Sequence, residues 1–347
     1  MIVEKEIKKG LFCMIDNKAF SFLPETMRVG GSFLVLCSAV LLSMAMLEVG
    51  RLGRGTPSHL SNGIKSERPL PLRTGKKKCQ ITLVTAYFRI PSKRSESYYR
   101  SWMNNFLSLD ACIVIYTDLA AESILKVRAG KKTIVHQAVF SSLVPKFCPY
   151  GNRSLLFWKL QHLQDPEGHL HRAHYVYQMW GMKTSLLKDV ITGNPFDSQA
   201  FFWLDIGYFR DDGFNGLSPR KLRTTELTKF YMMEVREFDT PNRDWLAGGV
   251  FGGSPEKSLQ FHDAYRQAMD GMLAKGEFIG KDQSVFNRVC LEYQDLCTVV
   301  RVERFNGVVW FAFAAFLFPR DSDDIHVTVV PLNKRTSKWR LMNSIAP

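Results

Sequence analysis

The sequence predicts an α/β protein: a mixed, mainly parallel sheet flanked by helices and preceded by one transmembrane helix. Three observations carry this expectation. Runs rich in β-branched and aromatic residues, at 80–88, 111–118 and 201–209, read as strands buried on both faces. Segments with apolar residues at helical spacing separate them, and strand–helix–strand order is how a parallel sheet is built. Residues 30–47 are 18 consecutive uncharged, mostly apolar positions, just enough helix to cross a bilayer.

That apolar run divides the chain into a tail (1–28), a signal-anchor span (29–49), a basic stem (50–78) and a folded region (79–347). A cleaved signal peptide fits poorly, because a 28-residue tail precedes the run. The stem is rich in Gly, Ser, Pro, Lys and Arg and cannot bury enough apolar surface to fold alone. Hydrophobic residues make up 46% of the 347 positions, which describes a well-cored domain beyond the stem. Part of the +13 net charge lies in the stem, where an acidic membrane surface explains it. With no nucleic-acid-binding signature beside it, the charge implies no nucleic-acid partner. The flanking charges, Lys18 and Arg28 against Arg51, Arg54 and Lys65, do not orient the span.

In chain order, the strand at 80–88 carries Thr85, Ala86 and Tyr87 towards its end, and the next helix carries Tyr98, Trp102, Phe106 and Leu109 at helical spacing. The strand at 111–118 ends in Asp118, and a third is expected at 132–136. A helix at 175–191 bears Lys183. The strand at 201–209 is apolar except for Asp205 and Gly207, two residues apart and so on one face of an extended chain. Residues 246–254 read as a glycine-rich turn containing Gly248, Gly249, Gly252 and Gly253. Ser254 and Pro255 form a cap and first helical residue, and Gly276 ends that helix. Asp282 and Gln283 open another helical stretch, and the apolar run 308–318 is too short to span a membrane and belongs to the core.

Among the seven cysteines no CxxC pair occurs; Cys290 and Cys297 either bridge a short loop or remain buried thiols. His162, His169, His171 and His174 lie around a loop-like Asp-Pro-Glu-Gly sequence with no cysteine near, which favours a polar surface loop over a zinc site. Asn152-Arg153-Ser154 is a glycosylation sequon, usable where that segment is lumenal. Neither GxGxxG after a strand nor a Walker motif is present, which disfavours dinucleotide, methyl-donor and P-loop readings.

Ligands of open α/β sheets bind at the carboxyl ends of strands, which makes Asp205 a site residue facing metal or phosphate. The order of Thr85-Ala86-Tyr87, Lys183, Asp205, Gly248-Gly249 and Asp282-Gln283 resembles the glycosyltransferase A fold. Within that superfamily the chain looks like the HtrL/YibB-like group, from Ile81-Thr82-Leu83-Val84-Thr85-Ala86-Tyr87-Phe88 and Phe202-Trp203-Leu204-Asp205-Ile206-Gly207. The likeness runs from about Cys79 to Asn306.

The resemblance implies a nucleotide-sugar donor and a glycan, protein or lipid acceptor. It implies a Golgi or endoplasmic reticulum membrane protein of type II orientation with a lumenal domain. The donor contacts it implies are Thr85, Ala86, Tyr87, Asp118, Asp205, Gly207 and Arg210. The acceptor contacts are Trp245, Gly248, Gly249 and Gln283; Asp282 is expected as base and Lys183 as phosphate partner. Asp205 is also the expected metal residue. A DxD motif would offer Mn²⁺ or Mg²⁺ two carboxylates, but here Gly207 replaces the second. Asp205 then holds an ion with water and phosphate, or hydrogen-bonds the ribose. A catalytically silent glycan-binding protein of the same fold is the alternative.

Overall fold

The computed structural model describes residues 78–92, 94–171, 174–236, 245–304, 308–320 and 326–332. The tail, the span and the stem up to residue 77 lie outside these residues. Among the described residues no helix is long and apolar enough to cross a membrane.

β-Branched and aromatic segments form one sheet of eight strands: β1 (Ile81–Tyr87), β2 (Cys112–Thr117), β3 (Thr133–Gln137), β4 (Ala200–Leu204), β5 (Phe230–Glu234), β6 (Leu246–Gly253), β7 (Thr298–Arg304) and β8 (His326–Pro331). Their spatial order is β3-β2-β1-β4-β6-β5-β7-β8. The β1–β2, β2–β3, β1–β4 and β5–β7 pairs are parallel, whereas β4–β6, β5–β6 and β7–β8 are antiparallel, so the sheet is mixed.

Alternation along each strand sends side chains into two cores. Val84, Ala86, Phe201 and Trp203 face one, and Leu83, Tyr87, Phe202 and Leu204 the other. The first is closed by α3 (Phe140–Phe147), α4 (Leu155–Gln164), α5 (Tyr175–Gly193), α6 (Pro255–Ala274) and α7 (Asp282–Glu292). Against the second pack α1 (Glu96–Ser108), α2 (Ala121–Val127) and α8 (Phe313–Leu317). Ser254 caps α6 by accepting from the Lys257 amide at 3.2 Å, with Pro255 as its first residue. The apolar run at 308–318 is core from Ala312 to Phe318.

Four sequence expectations change. The strand at 201–209 stops at Leu204; Asp205 closes the ladder with its amide on the Gly249 carbonyl, then turns, its carbonyl accepting from the Tyr208 amide. Asp205 and Gly207 therefore do not share a strand face. The glycine-rich turn is strand β6, inserted antiparallel between β4 and β5. A Cβ on Gly252 would lie 2.1 Å from the Phe201 carbonyl oxygen, at a φ of +143° that side chains avoid, so glycine permits the pairing. The histidine segment is a surface loop only in part: His169 is exposed, but His171 Nδ1 and Asp165 Oδ2 are both buried and 2.8 Å apart, with the Tyr177 hydroxyl donating to the same oxygen. Finally, Cys79–Cys112 is a second disulfide beside Cys290–Cys297, joining the starts of β1 and β2 across 33 residues that no spacing rule connects.

Gly252→Ala should cost at least about 2 kcal/mol of stability, through left-handed strain and backbone overlap. Denaturant unfolding of the variant against the parent measures this.

Candidate active site

The carboxyl ends of β1 and β4, the middle of β6 and the first turn of α7 meet at a cleft of about 630 Å³. That volume suits a small-molecule ligand, for which about 300–1,000 Å³ is usual. At its floor, α5 delivers Lys183, the residue after β4 delivers Asp205, and α7 begins with Asp282.

Lys183 is 3% exposed. Its ammonium stands 2.9 Å from Asp205 Oδ1 and 2.8 Å from Asp282 Oδ2, and donates to the Gly248 carbonyl at 2.9 Å. Its hydrogen bonds go to Asp205 Oδ2 at 3.2 Å and to the Gly248 carbonyl, and its contact with Asp282 is an ion pair. Burial alone would lower the Lys183 pKa, but the Asp205 and Asp282 carboxylates together more than reverse this and hold it above the ordinary lysine range. Burial pushes the Asp282 carboxyl up, against the opposing pull of Lys183.

The two carboxylates differ in access. The Asp205 side chain is 40% exposed and that of Asp282 only 4%. The Trp203 indole N–H donates to Asp205 Oδ1 at 2.8 Å, fixing the carboxylate on the floor. Asp282 Oδ1 accepts from the Gln283 amide at 2.9 Å, so Asp282 is the first residue of its helix and not its cap. Asp205 is the more exposed carboxylate of the pair.

The glycines serve this packing. A Cβ on Gly248 would lie 2.7 Å from Asp282 Oδ1 and 2.8 Å from Gln283 Cγ, so the missing side chain makes room for α7 against β6. Gln283 in turn donates to the Leu246 carbonyl at 2.8 Å. Gly249 lies open to Asp205 and the Tyr208 ring, both 3.5 Å from a Cβ built there. Gly207 lines the cleft and backs onto Trp102, whose ring a Cβ would approach to 2.9 Å.

Of the remaining sequence-predicted residues, Ala86, Tyr87 and Arg210 line the cleft, with Gly248, Gly249 and Gln283 opposite. Asp118 stands at the end of β2, paired with Arg89 at 3.2 Å. Three positions need correction, and Asp118 is the first, since it does not line the cleft. Thr85 is fully buried within β1 and does not reach the cleft. Trp245 is fully buried in the core, so its indole offers no face to a sugar. Asn152 is exposed in the turn before α4.

Sequence reasoning missed Trp203, Arg94, Tyr99, Trp180 and the Trp310–Phe311 pair as cleft residues. Trp203 carried a signal, since it sits two residues before Asp205. The others come from separate segments with no shared motif.

The glycosyltransferase A resemblance implies Mn²⁺ or Mg²⁺, and the residues present do not fit one. Oxygens suited to a divalent ion already surround the Lys183 ammonium, and an ion among them would sit against a like charge. Asp211 supplies no second ligand: its Oδ1 accepts from the Gly213 amide at 2.9 Å and lies 3.6 Å from Arg320.

Comparison with family models matches residues 79–315 to one described as "Bacterial protein of unknown function (HtrL_YibB)". No curated protein matches the chain.

Lys183→Met should lose about 3–5 kcal/mol near neutral pH, because it leaves buried carboxylate charge without a partner. With Asp282 raised in the fold, the folded state binds its proton more tightly than the unfolded chain does. The penalty therefore grows as pH rises through the folded value, and shrinks as pH falls towards the ordinary carboxylate range near about 4. Unfolding of variant and parent from pH 4 to 8 checks both size and sign.

Proposed function

The chain belongs to the HtrL_YibB family, and from that starting point we propose that it is a membrane-anchored glycosyltransferase. In this reading it moves a sugar from a nucleotide-sugar donor to a hydroxyl of a glycan, protein or lipid. The observation that carries it is the Asp205 carboxylate, 40% exposed on the floor of an aromatic-walled cleft at the carboxyl ends of parallel strands. Such a cleft suits a sugar nucleotide: rings for the base and sugar faces, and a carboxylate for hydroxyl protons.

In the transfer step the acceptor oxygen forms a bond to the anomeric carbon. The bond from that carbon to the diphosphate oxygen breaks, and its electron pair leaves with the nucleoside diphosphate. The hydroxyl proton passes to Asp205, the carboxylate within reach of a bound ligand. Asp282 and Lys183 act beneath it as positioning residues, since the ammonium joins the two carboxylates. Gln283 and the Gly248-Gly249 stretch form the acceptor side.

The disulfides Cys79–Cys112 and Cys290–Cys297 support an oxidising compartment, consistent with a lumenal domain on the anchor at 29–49. An exposed Asn152 leaves its sequon open to modification there. One observation favours the silent glycan-binding alternative: a lysine occupies the space between carboxylates where a metal-assisted transferase would carry its ion.

A panel of nucleotide-sugars offered to the full-length chain, with Mn²⁺ or with EDTA, separates the two readings by nucleotide release and sugar transfer. The expected result is turnover of at least one donor, reduced about 100-fold or more in Asp205→Asn. No turnover of any donor, alongside retained glycan binding, would establish the silent protein instead.

A further inference from the structure

The positive charge at the mouth of the cleft is arranged in a way that the floor does not explain. Lys183 is engaged by Asp205, Asp282 and the Gly248 carbonyl. Arg89 is held by Asp118, its backbone amide and its guanidinium both donating to that carboxylate. Glu96, on the same wall, is turned to Arg100 at 2.6 Å. Two cations remain, Arg94 and Arg210; both line the cleft, and neither joins an ion pair among the described residues.

Arg210 is also built into place. Its guanidinium carbon lies 3.4 Å from the centroid of the Trp102 ring and 4.7 Å from that of Phe311. Contact with two rings holds the guanidinium beside the cleft, and a fork stacked on a ring keeps its N–H edges free to donate. Burial lowers the Arg210 pKa, Tyr99 and Asp205 favour its charge, and Arg94 is near enough to oppose it. Two like charges in one cleft oppose each other, with Asp205 offsetting part of that, and an anion lying between them makes the arrangement favourable.

We propose that Arg94 and Arg210 form the subsite for the diphosphate group of the ligand, and that these guanidiniums do the work a divalent cation would otherwise do. The assignment rests on the nucleotide-sugar reading for the ligand's identity, but on the arginine geometry for the chemistry. A planar fork binds phosphate oxygens through paired hydrogen bonds, so a pair of forks suits two adjacent phosphoryl groups. In a transfer step the same pair would carry the negative charge that develops on the departing diphosphate as its bond to the sugar breaks. Lys183, expected from sequence as the phosphate partner, is too deep and too fully engaged for that role.

The test is calorimetric titration of the full-length chain with inorganic pyrophosphate and with uridine diphosphate, each in EDTA and in Mn²⁺. Pyrophosphate should bind in EDTA, about tenfold or more weakly in Arg94→Ala and in Arg210→Ala. Arg94 is exposed and joins no ion pair among the described residues, so its variant should fold as the parent does; Arg210→Lys keeps charge but loses the fork, and should recover only part of the binding. Tighter binding of uridine diphosphate than of pyrophosphate would mark a nucleotide as the source of the diphosphate. Binding that requires Mn²⁺, that is absent in both conditions, or that survives both alanine variants would overturn the proposal. Pyrophosphate binding without turnover of any sugar donor would instead remove the transferase reading and leave this subsite standing.

Discussion

The cleft depends on one buried ammonium. Lys183 lies where α5 crosses the end of β4, and its ammonium ties together elements far apart in sequence: Asp205 after β4, the Gly248 carbonyl in β6, and Asp282 at the start of α7. Taking the Lys183 ammonium and the Asp282 carboxylate out of water is costly, and the arrangement holds because the ammonium lies within 2.9 Å of both carboxylates and of the Gly248 carbonyl. The tie sets where α7 begins and how near it comes to β6. The absence of a side chain at Gly248 allows that approach. What remains exposed is a single carboxylate, Asp205, steadied from its own strand by Trp203.

This separates a closed layer from an open one. Below, Lys183 and Asp282 are closed to solvent and to each other's alternatives; above, Asp205 meets the cleft with arginines and aromatic rings around it. Charge that a divalent ion could supply in one place is here divided between an ammonium on the floor and guanidiniums at the mouth. Each is fixed by a different force: ion pairing for Lys183, ring stacking for Arg210.

Much of the framework was legible in the sequence. β1, β2, β3 and α5 lie within a few residues of their expected places, because β-branched runs and helical spacing report burial directly. Asp205 and Asp282 were legible as carboxylates beside apolar elements. The burial of Lys183 had a signal as well: Val176, Trp180, Lys183, Leu187 and Val190 follow one helical stripe, and a lysine on that stripe must face inward. Strand β6 misread as a turn because its glycines suppress β propensity, while the pairing with β4 that requires them is a long-range contact. Arg210 and Tyr87 were legible as donor contacts and do line the cleft, but Arg94 and the other cleft aromatics were not, since residues from distant segments meet only once the sheet has formed. The same holds for Cys79–Cys112.

The central claim is that Lys183 stays charged because two carboxylates hold it. A ¹⁵N NMR titration of the lysine side-chain amines, with Lys183 assigned through Lys183→Met, tests this most directly. The account predicts a Lys183 resonance protected from exchange and still protonated above pH 10.5, the ordinary lysine value. A Lys183 amine that loses its proton at or below that value, or that exchanges as freely as a surface lysine, would contradict it.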